Sequence, residues 1–270
     1  GYSRITADGK LWARARNCCR AKVVGVSKPF SPRASARLAG LIYLVVIAGG
    51  AFAEAFVRQR FLVQGDAAAT AANLRAGEDL MRLAFAADVA PLLLNMLLIA
   101  ILYQLLRIVS QRGALVAGLF MLTCTAIQGV AMAFHMASIL VLKGSPAYAV
   151  FDAAQLEALA YLFLRLHAVT YTVALLFFGG GAFVVGALVL RSTFLPRFLG
   201  LLMCLAGVCY FTNSLLYFVA PELSSIALLL PALLGEGGLT LWFLLVGLNE
   251  KAWRKQAGIV DEREIVLRGK

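Results

Sequence analysis

Residues 166–190 read LHAVTYTVALLFFGGGAFVVGALVL, twenty-five positions without one Asp, Glu, Lys or Arg. As a helix rising 1.5 Å per residue this stretch is about 38 Å long, enough to cross a hydrocarbon core of about 30 Å. Five more apolar stretches of comparable length surround it. They run from about Arg37 to Phe56, Arg82 to Leu106, Gly113 to Leu142, Arg197 to Val219 and Ile226 to Leu248, beside the quoted one from about Arg165. No ten-residue alternation of the kind a membrane barrel requires is present. The sequence therefore predicts an all-α membrane protein, a six-transmembrane-helix bundle.

Composition agrees. Hydrophobic residues make up 61% of the 270 and charged residues 14%, against roughly 45–50% and about 25% in an average soluble domain. Such a chain has too little polar surface for a water-facing globule, which excludes a cytosolic enzyme, a fibrous protein and a disordered chain. Five cysteines without regular spacing form neither a disulfide framework nor a zinc pair. No phosphate-binding glycine loop or nucleophile elbow occurs, so nucleotide use and serine hydrolysis have no support. No catalytic residues and no cofactor are expected.

The net charge of +11 is concentrated. Residues 1–37 hold Arg4, Lys10, Arg14, Arg16, Arg20, Lys22, Lys28, Arg33 and Arg37 against Asp8 alone. Without basic–aromatic interleaving this is a tail attracted to anionic lipid rather than a nucleic-acid arm. Residues 1–35 are expected to be a disordered cytoplasmic tail, 36–249 the transmembrane domain and 250–270 a charged cytoplasmic tail. Arg107, Arg112, Arg191, Arg197, Lys251, Arg254, Lys255, Arg263, Arg268 and Lys270 fall on the same side as the tail. The opposite side holds Arg58, Arg60, Arg75, Arg82 and Lys143, interspersed with acids. The positive-inside rule then places both termini in the cytoplasm. Trp242 and Trp253 are expected as interfacial anchors at the inner end of the last span.

Two segments on the opposite side read as helical. Residues 66–81, DAAATAANLRAGEDLM, predict an extra extracytoplasmic amphipathic helix with Asp66 as N-cap. Asp152 and Gln155 are spaced as a capping box. A continuous helix from there to Leu190 would be about 60 Å long, so it must either project beyond the bilayer or break near Arg165.

The ordered set RLAGLIYLVV (37–46), GDAAATAANL (65–74), LHAVTYTVALLFFGG (166–180), LRSTFLPRFLGLLMCLAG (190–207) and LLPALLGEGGLTLWFLLVGL (229–248) resembles the bacterial membrane family known as domain of unknown function 4386 (DUF4386). The resemblance implies a multi-pass protein of the bacterial cytoplasmic (inner) membrane and carries over no catalytic residue.

Charged groups at bilayer depth cost about 2.5–3.5 kcal/mol on insertion scales and face a bundle interior or a wet cavity. With the termini inside, the polar residues of the spans lie in the outer half. Glu236, Asp88, His167 and Asn213 are therefore expected to converge on one outward-facing cavity, with Arg165 and Glu54 near its mouth and His135 at similar depth. The carboxyl of Glu236 should be neutral or paired with His167 or Arg165. Pro91 and Pro231 are expected to free backbone carbonyls within their helices. Such a cavity would bind or transport a small polar or lipidic ligand.

Two other readings compete. The polar groups could only fix helix packing in an accessory subunit, with Gly179, Gly180, Gly181 and Gly186 facing a partner. Alternatively, His135 and His167 could ligate haem or a metal. Partners expected are membrane lipids and a membrane-protein partner or a second copy of the chain, and no nucleic acid.

Overall fold

The computed structural model describes residues 31–259, so the amino-terminal tail up to residue 30 and residues 260–270 lie outside the described residues. Within them the chain forms α1 (Pro32–Ala51, continued by a π-helical segment Phe52–Arg58 and a last turn Gln59–Phe61), α2 (Ala67–Ala76) and α3 (Glu78–Leu106). There follow α4 (Gln111–Leu140), α5 (Ala153–Arg191), α6 (Arg197–Val219), α7 (Leu230–Leu245) and α8 (Glu250–Gln256). No strand occurs among the described residues. Six of the helices, α1, α3, α4, α5, α6 and the 226–245 helix containing α7, are long and apolar enough to span a membrane. The chain is a multi-pass membrane protein.

The six long helices close into a ring in chain order: α1 packs on α3, α3 on α4, α4 on α5, α5 on α6, α6 on α7, and α7 returns to α1. Glycines set the closest approaches. A Cβ on Gly40 would lie 2.4 Å from the backbone nitrogen of Leu244, which seals α1 against α7. Gly179 and Gly186 of α5 meet Gly207 and Gly200 of α6 at seven-residue spacing; a Cβ on Gly186 would fall 2.5 Å from the Cys204 nitrogen. Lipid supplies no hydrophobic drive between helices, so small residues that admit backbone contact hold such bundles together. This corrects the expectation that these glycines face a partner. Gly179 and Gly186 are consumed against α6, and Gly180 and Gly181 lie against Phe120 and Met121 of α4.

The outside of the ring is apolar. Leu93, Leu97, Leu115, Leu119, Leu201 and Leu205 are all exposed at helical spacing, as a lipid-facing surface requires. Inside, two apolar clusters are buried. One, at the end that holds both described termini, contains Ala36, Ala39, Leu102, Leu106, Ala117, Val185 and Phe243. The other, at the far end, joins Val57, Phe61, Leu74, Met81, Ile139 and Leu164. Polar side chains occupy the helix positions between them: Asp88 and Asn95 on α3, Thr125 to His135 on α4, His167 and Tyr171 on α5.

Several boundaries differ from the sequence reading. The helix expected over 66–81 is capped by Asp66 (Oδ1 accepting from Ala69 N, 2.8 Å) but ends at Ala76, and residues from Glu78 onward already belong to α3. Gly77 lies against the Phe61 ring, where a Cβ would come within 2.2 Å. The Asp152–Gln155 capping box forms. From it α5 runs unbroken for 39 residues, about 58 Å; it projects rather than breaking at Arg165. Its first turns bind α2 through Arg75 and Glu157 (2.9 Å). Pro231 sits in the first turn of α7 and frees no mid-helix carbonyl, whereas Pro91 is internal to α3. Trp253 is buried and donates to Leu105 O (3.0 Å), tying α8 to α3 rather than anchoring at a lipid interface. The tail expected from residue 250 thus begins as an ordered helix.

Candidate functional site

Arg58, which the sequence places just beyond the first span, is buried at 4% exposure. Helix α1 continues past Phe56 through the π-helical segment, where Glu54 O accepts from Gln59 N–H, five residues on. Wider turns of this kind recur at functional sites because they re-phase a helix. From this segment Arg58 Nε donates to Glu54 Oε2 (2.8 Å) and Nη1 donates to Asp88 Oδ2 on α3. Asp88 is buried, while the Glu54 side chain is 45% exposed. Arg58 Nη2 is buried without a hydrogen-bond partner.

Two histidines adjoin this cluster. His135 of α4 and His167 of α5 are both buried, with ring centroids 5.7 Å apart in an edge-to-face arrangement. His135 Nε2 lies 2.9 Å from Met81 O and His167 Nδ1 lies 2.9 Å from Ala131 O. A carbonyl only accepts, so each of those nitrogens carries the proton. The other nitrogen of each neutral ring, His135 Nδ1 and His167 Nε2, is then a lone-pair acceptor, and both are buried without partners. Tyr171, one turn along α5, stacks on His167 at 6.2 Å. It also lines a cavity of about 50 Å³ together with Asp88, Asn95 and Gln128. Asn95 Nδ2 donates to Thr125 Oγ1 (2.7 Å), which bridges α3 to α4.

The other expected members have different immediate partners. Glu236 of α7 is buried, but its neighbours are Tyr43 of α1 and Tyr210 of α6, with Cys124 of α4 close by. The Tyr210 hydroxyl is placed to hydrogen-bond the carboxyl, while Glu236 Oε1 and the Tyr43 hydroxyl have no partner. Glu236 therefore meets phenols rather than His167 or Arg165. Close packing of Gly235 on Leu202 O turns this face of α7 toward α6. Asn213 Oδ1 accepts from Ser225 N (2.9 Å) and Ser224 Oγ (3.3 Å), so it fastens the α6–α7 connection. Arg165 Nη1 reaches Gln64 Oε1 (3.5 Å) in the α1–α2 connection. The structure thus brings Asp88, His135, His167 and Glu54 together around Arg58, links Glu236 to them only by way of Tyr210 and Cys124 beside Tyr171, and sets Asn213 and Arg165 at the α6–α7 and α1–α2 connections.

Among the described residues no three His, Cys, Asp or Glu side chains are grouped to hold a metal ion. Zinc takes three or four such ligands, so the histidine pair by itself is not a zinc centre. The cluster offers hydrogen-bonding capacity of both signs: N–H donors on Arg58 and two imidazole acceptors. Arg58 was the member missed in the sequence. Its i, i+4 spacing from Glu54 was the available signal, since such a pair needs a continuous helix.

No curated protein and no solved structure matches the chain. The family model described as Domain of unknown function (DUF4386) matches residues 38–247, which takes in all six long helices from early α1 to the end of α7. The chain belongs to the DUF4386 family.

Proposed function

We propose that this protein binds a small ligand within the ring, at the cluster formed by Arg58, Asp88, His135, His167 and Tyr171, as a carrier or receptor. The bundle sits in the bacterial cytoplasmic membrane with both termini in the cytoplasm, so the cluster belongs to the outer half. The observation that carries the reading is the set of buried, unpartnered polar atoms on three different helices: Arg58 Nη2, His135 Nδ1 and His167 Nε2. Leaving such groups unpaired costs about 1–3 kcal/mol each, which a bound molecule would recover. One cation against two carboxylates, one buried and one half exposed, leaves no net positive charge to hold an anion. The complementary ligand is a small neutral or zwitterionic molecule with both donors and acceptors, such as a polyol, an amide or an amino acid. The adjoining cavity of about 50 Å³ would widen to admit it.

The test is thermal stability of purified protein in lipid nanodiscs across a panel of such compounds. A compound that raises the midpoint in the wild type, and not in the His135→Ala, His167→Ala double variant, supports the reading. If none raises it, or the double variant responds equally, the buried groups serve packing alone. Reporter fusions at Ser110, Gly144 and the carboxy terminus test the orientation; an extracytoplasmic carboxy terminus reverses it.

A further inference from the structure

At the end of the ring that holds both described termini, an open groove of about 850 Å³ lies between the start of α1, the α5–α6 turn, the end of α7 and the start of α8. Its lining includes three cationic side chains, Arg33, Lys251 and Arg254, with Glu250 the acid among them. Glu250 and Arg254 engage each other, with Glu250 Oε1 2.7 Å from Arg254 Nη2, so Arg33 and Lys251 carry the net positive charge of the lining. Arg33 is held in place by donating from Nε to Val246 O (3.2 Å), and Arg37 beside it donates to Leu245 O (3.2 Å). Both arginines satisfy terminal carbonyls of α7, and Arg33 keeps its charge at the groove. Trp242 and Val246 add apolar surface to the lining. Trp242 packs edge-to-face on Phe198 (5.9 Å), which is half exposed on the outside of α6. Leu245 and Leu241, 67% and 51% exposed, continue this apolar surface along the outside of α7.

From this juxtaposition we infer that the groove is a binding site for an anionic phospholipid, with its phosphate at Arg33 and Lys251 and its acyl chains along Trp242, Phe198 and Leu241. Charge complementarity selects an anion, and the apolar surface of Trp242, Phe198 and Leu241 beside it selects one that carries hydrocarbon. A free phosphate ion would leave that surface unused. The inference is independent of the ligand cluster around Arg58, which lies at the far end.

The experiment is native mass spectrometry of the full-length protein in a neutral detergent, titrated with phosphatidylglycerol and with phosphatidylcholine of the same chains. Phosphatidylglycerol is expected to bind at least about 25-fold more tightly, the product of two basic side chains. Each basic side chain near an anionic lipid is worth about fivefold, so Lys251→Gln should lower phosphatidylglycerol affinity about fivefold. The Arg33→Gln, Lys251→Gln double variant should lower it about 25-fold, and both should leave phosphatidylcholine binding unchanged. Lys251 is exposed, so the single variant remains informative if loss of the Arg33 hydrogen bond impairs folding. Arg107→Gln with Arg112→Gln, at the same end but outside the groove, should have no effect. An equal loss in that control pair would mean diffuse attraction and overturn the site. Displacement by millimolar inorganic phosphate would make the ligand a free anion and overturn it too. A zero-length carbodiimide crosslink from Lys251 to Asp261, Glu262 or Glu264 would show the chain's own acidic segment in the groove, again against the proposal.

Discussion

Replacing Arg58 by glutamine should be among the most costly single changes in the bundle. Arg58 and Asp88 are 5% and 7% exposed at their side chains. Without the guanidinium, the Asp88 carboxylate is left buried with no cation, and breaking such a pair from one side costs about 3–5 kcal/mol. The Glu54 pair differs: its carboxylate is 45% exposed, and half-solvated ion pairs contribute about 0–1 kcal/mol. Asp88→Asn falls between, because Arg58 keeps Glu54 and loses a charge-assisted bond of about 1.5–3 kcal/mol. The expected order of cost is Arg58→Gln, then Asp88→Asn, then Glu54→Gln. Replacing both buried partners, Arg58→Leu with Asp88→Leu, should cost less than Arg58→Gln alone, since no charge is then stranded. Reversible unfolding in mixed micelles of increasing dodecyl sulfate fraction measures these differences. Arg58→Gln within about 1 kcal/mol of Glu54→Gln would refute the burial argument, and so would a double variant as costly as the two single changes added together.

Tyr210→Phe removes the hydroxyl that faces Glu236 and should cost about 1–3 kcal/mol in the same unfolding assay. Adding Glu236→Leu should recover part of that loss, and an additive double variant would count against the contact. Gly186→Val, whose Cβ would lie 2.5 Å from the Cys204 nitrogen, must part α5 from α6 and should prevent recovery of folded protein by size-exclusion chromatography. Gly237→Ala meets nothing within 4 Å and should be neutral or stabilising by about 0.5–1 kcal/mol; a strong loss there would place another helix against this face. Asp152→Ala deletes the capping box and should cost about 1 kcal/mol, seen as faster amide exchange in the first turn of α5 with the rest unchanged.

Much of this architecture is legible in one dimension. A run such as residues 166–190 admits only lipid as solvent, because its length and lack of charge are local properties. The number of crossings, the caps at Asp66 and Asp152, and the unequal distribution of basic residues between the two ends follow in the same way. What the residues could not disclose is which polar groups meet. Helical period places Asp88 and Asn95 on one face of α3, and the structure does set both on one cavity. Period alone does not say which helix lies opposite, or at what height. Each residue of uncertainty turns a side chain by about 100°. The closed ring settles those questions through contacts between distant glycines and backbone, Gly40 with Leu244 and Gly186 with Cys204. Arg58 shows the same limit from the other side. In sequence a charge after an apolar run marks the end of a span, because an isolated charge cannot stay in lipid. In the folded ring Asp88, thirty residues on, supplies the counter-charge that lets the helix carry Arg58 inside. Solvent and crossing number are thus set by sequence, through free energies that sum residue by residue. The polar cluster exists only in the tertiary structure, because its stability depends on pairs that no single segment contains.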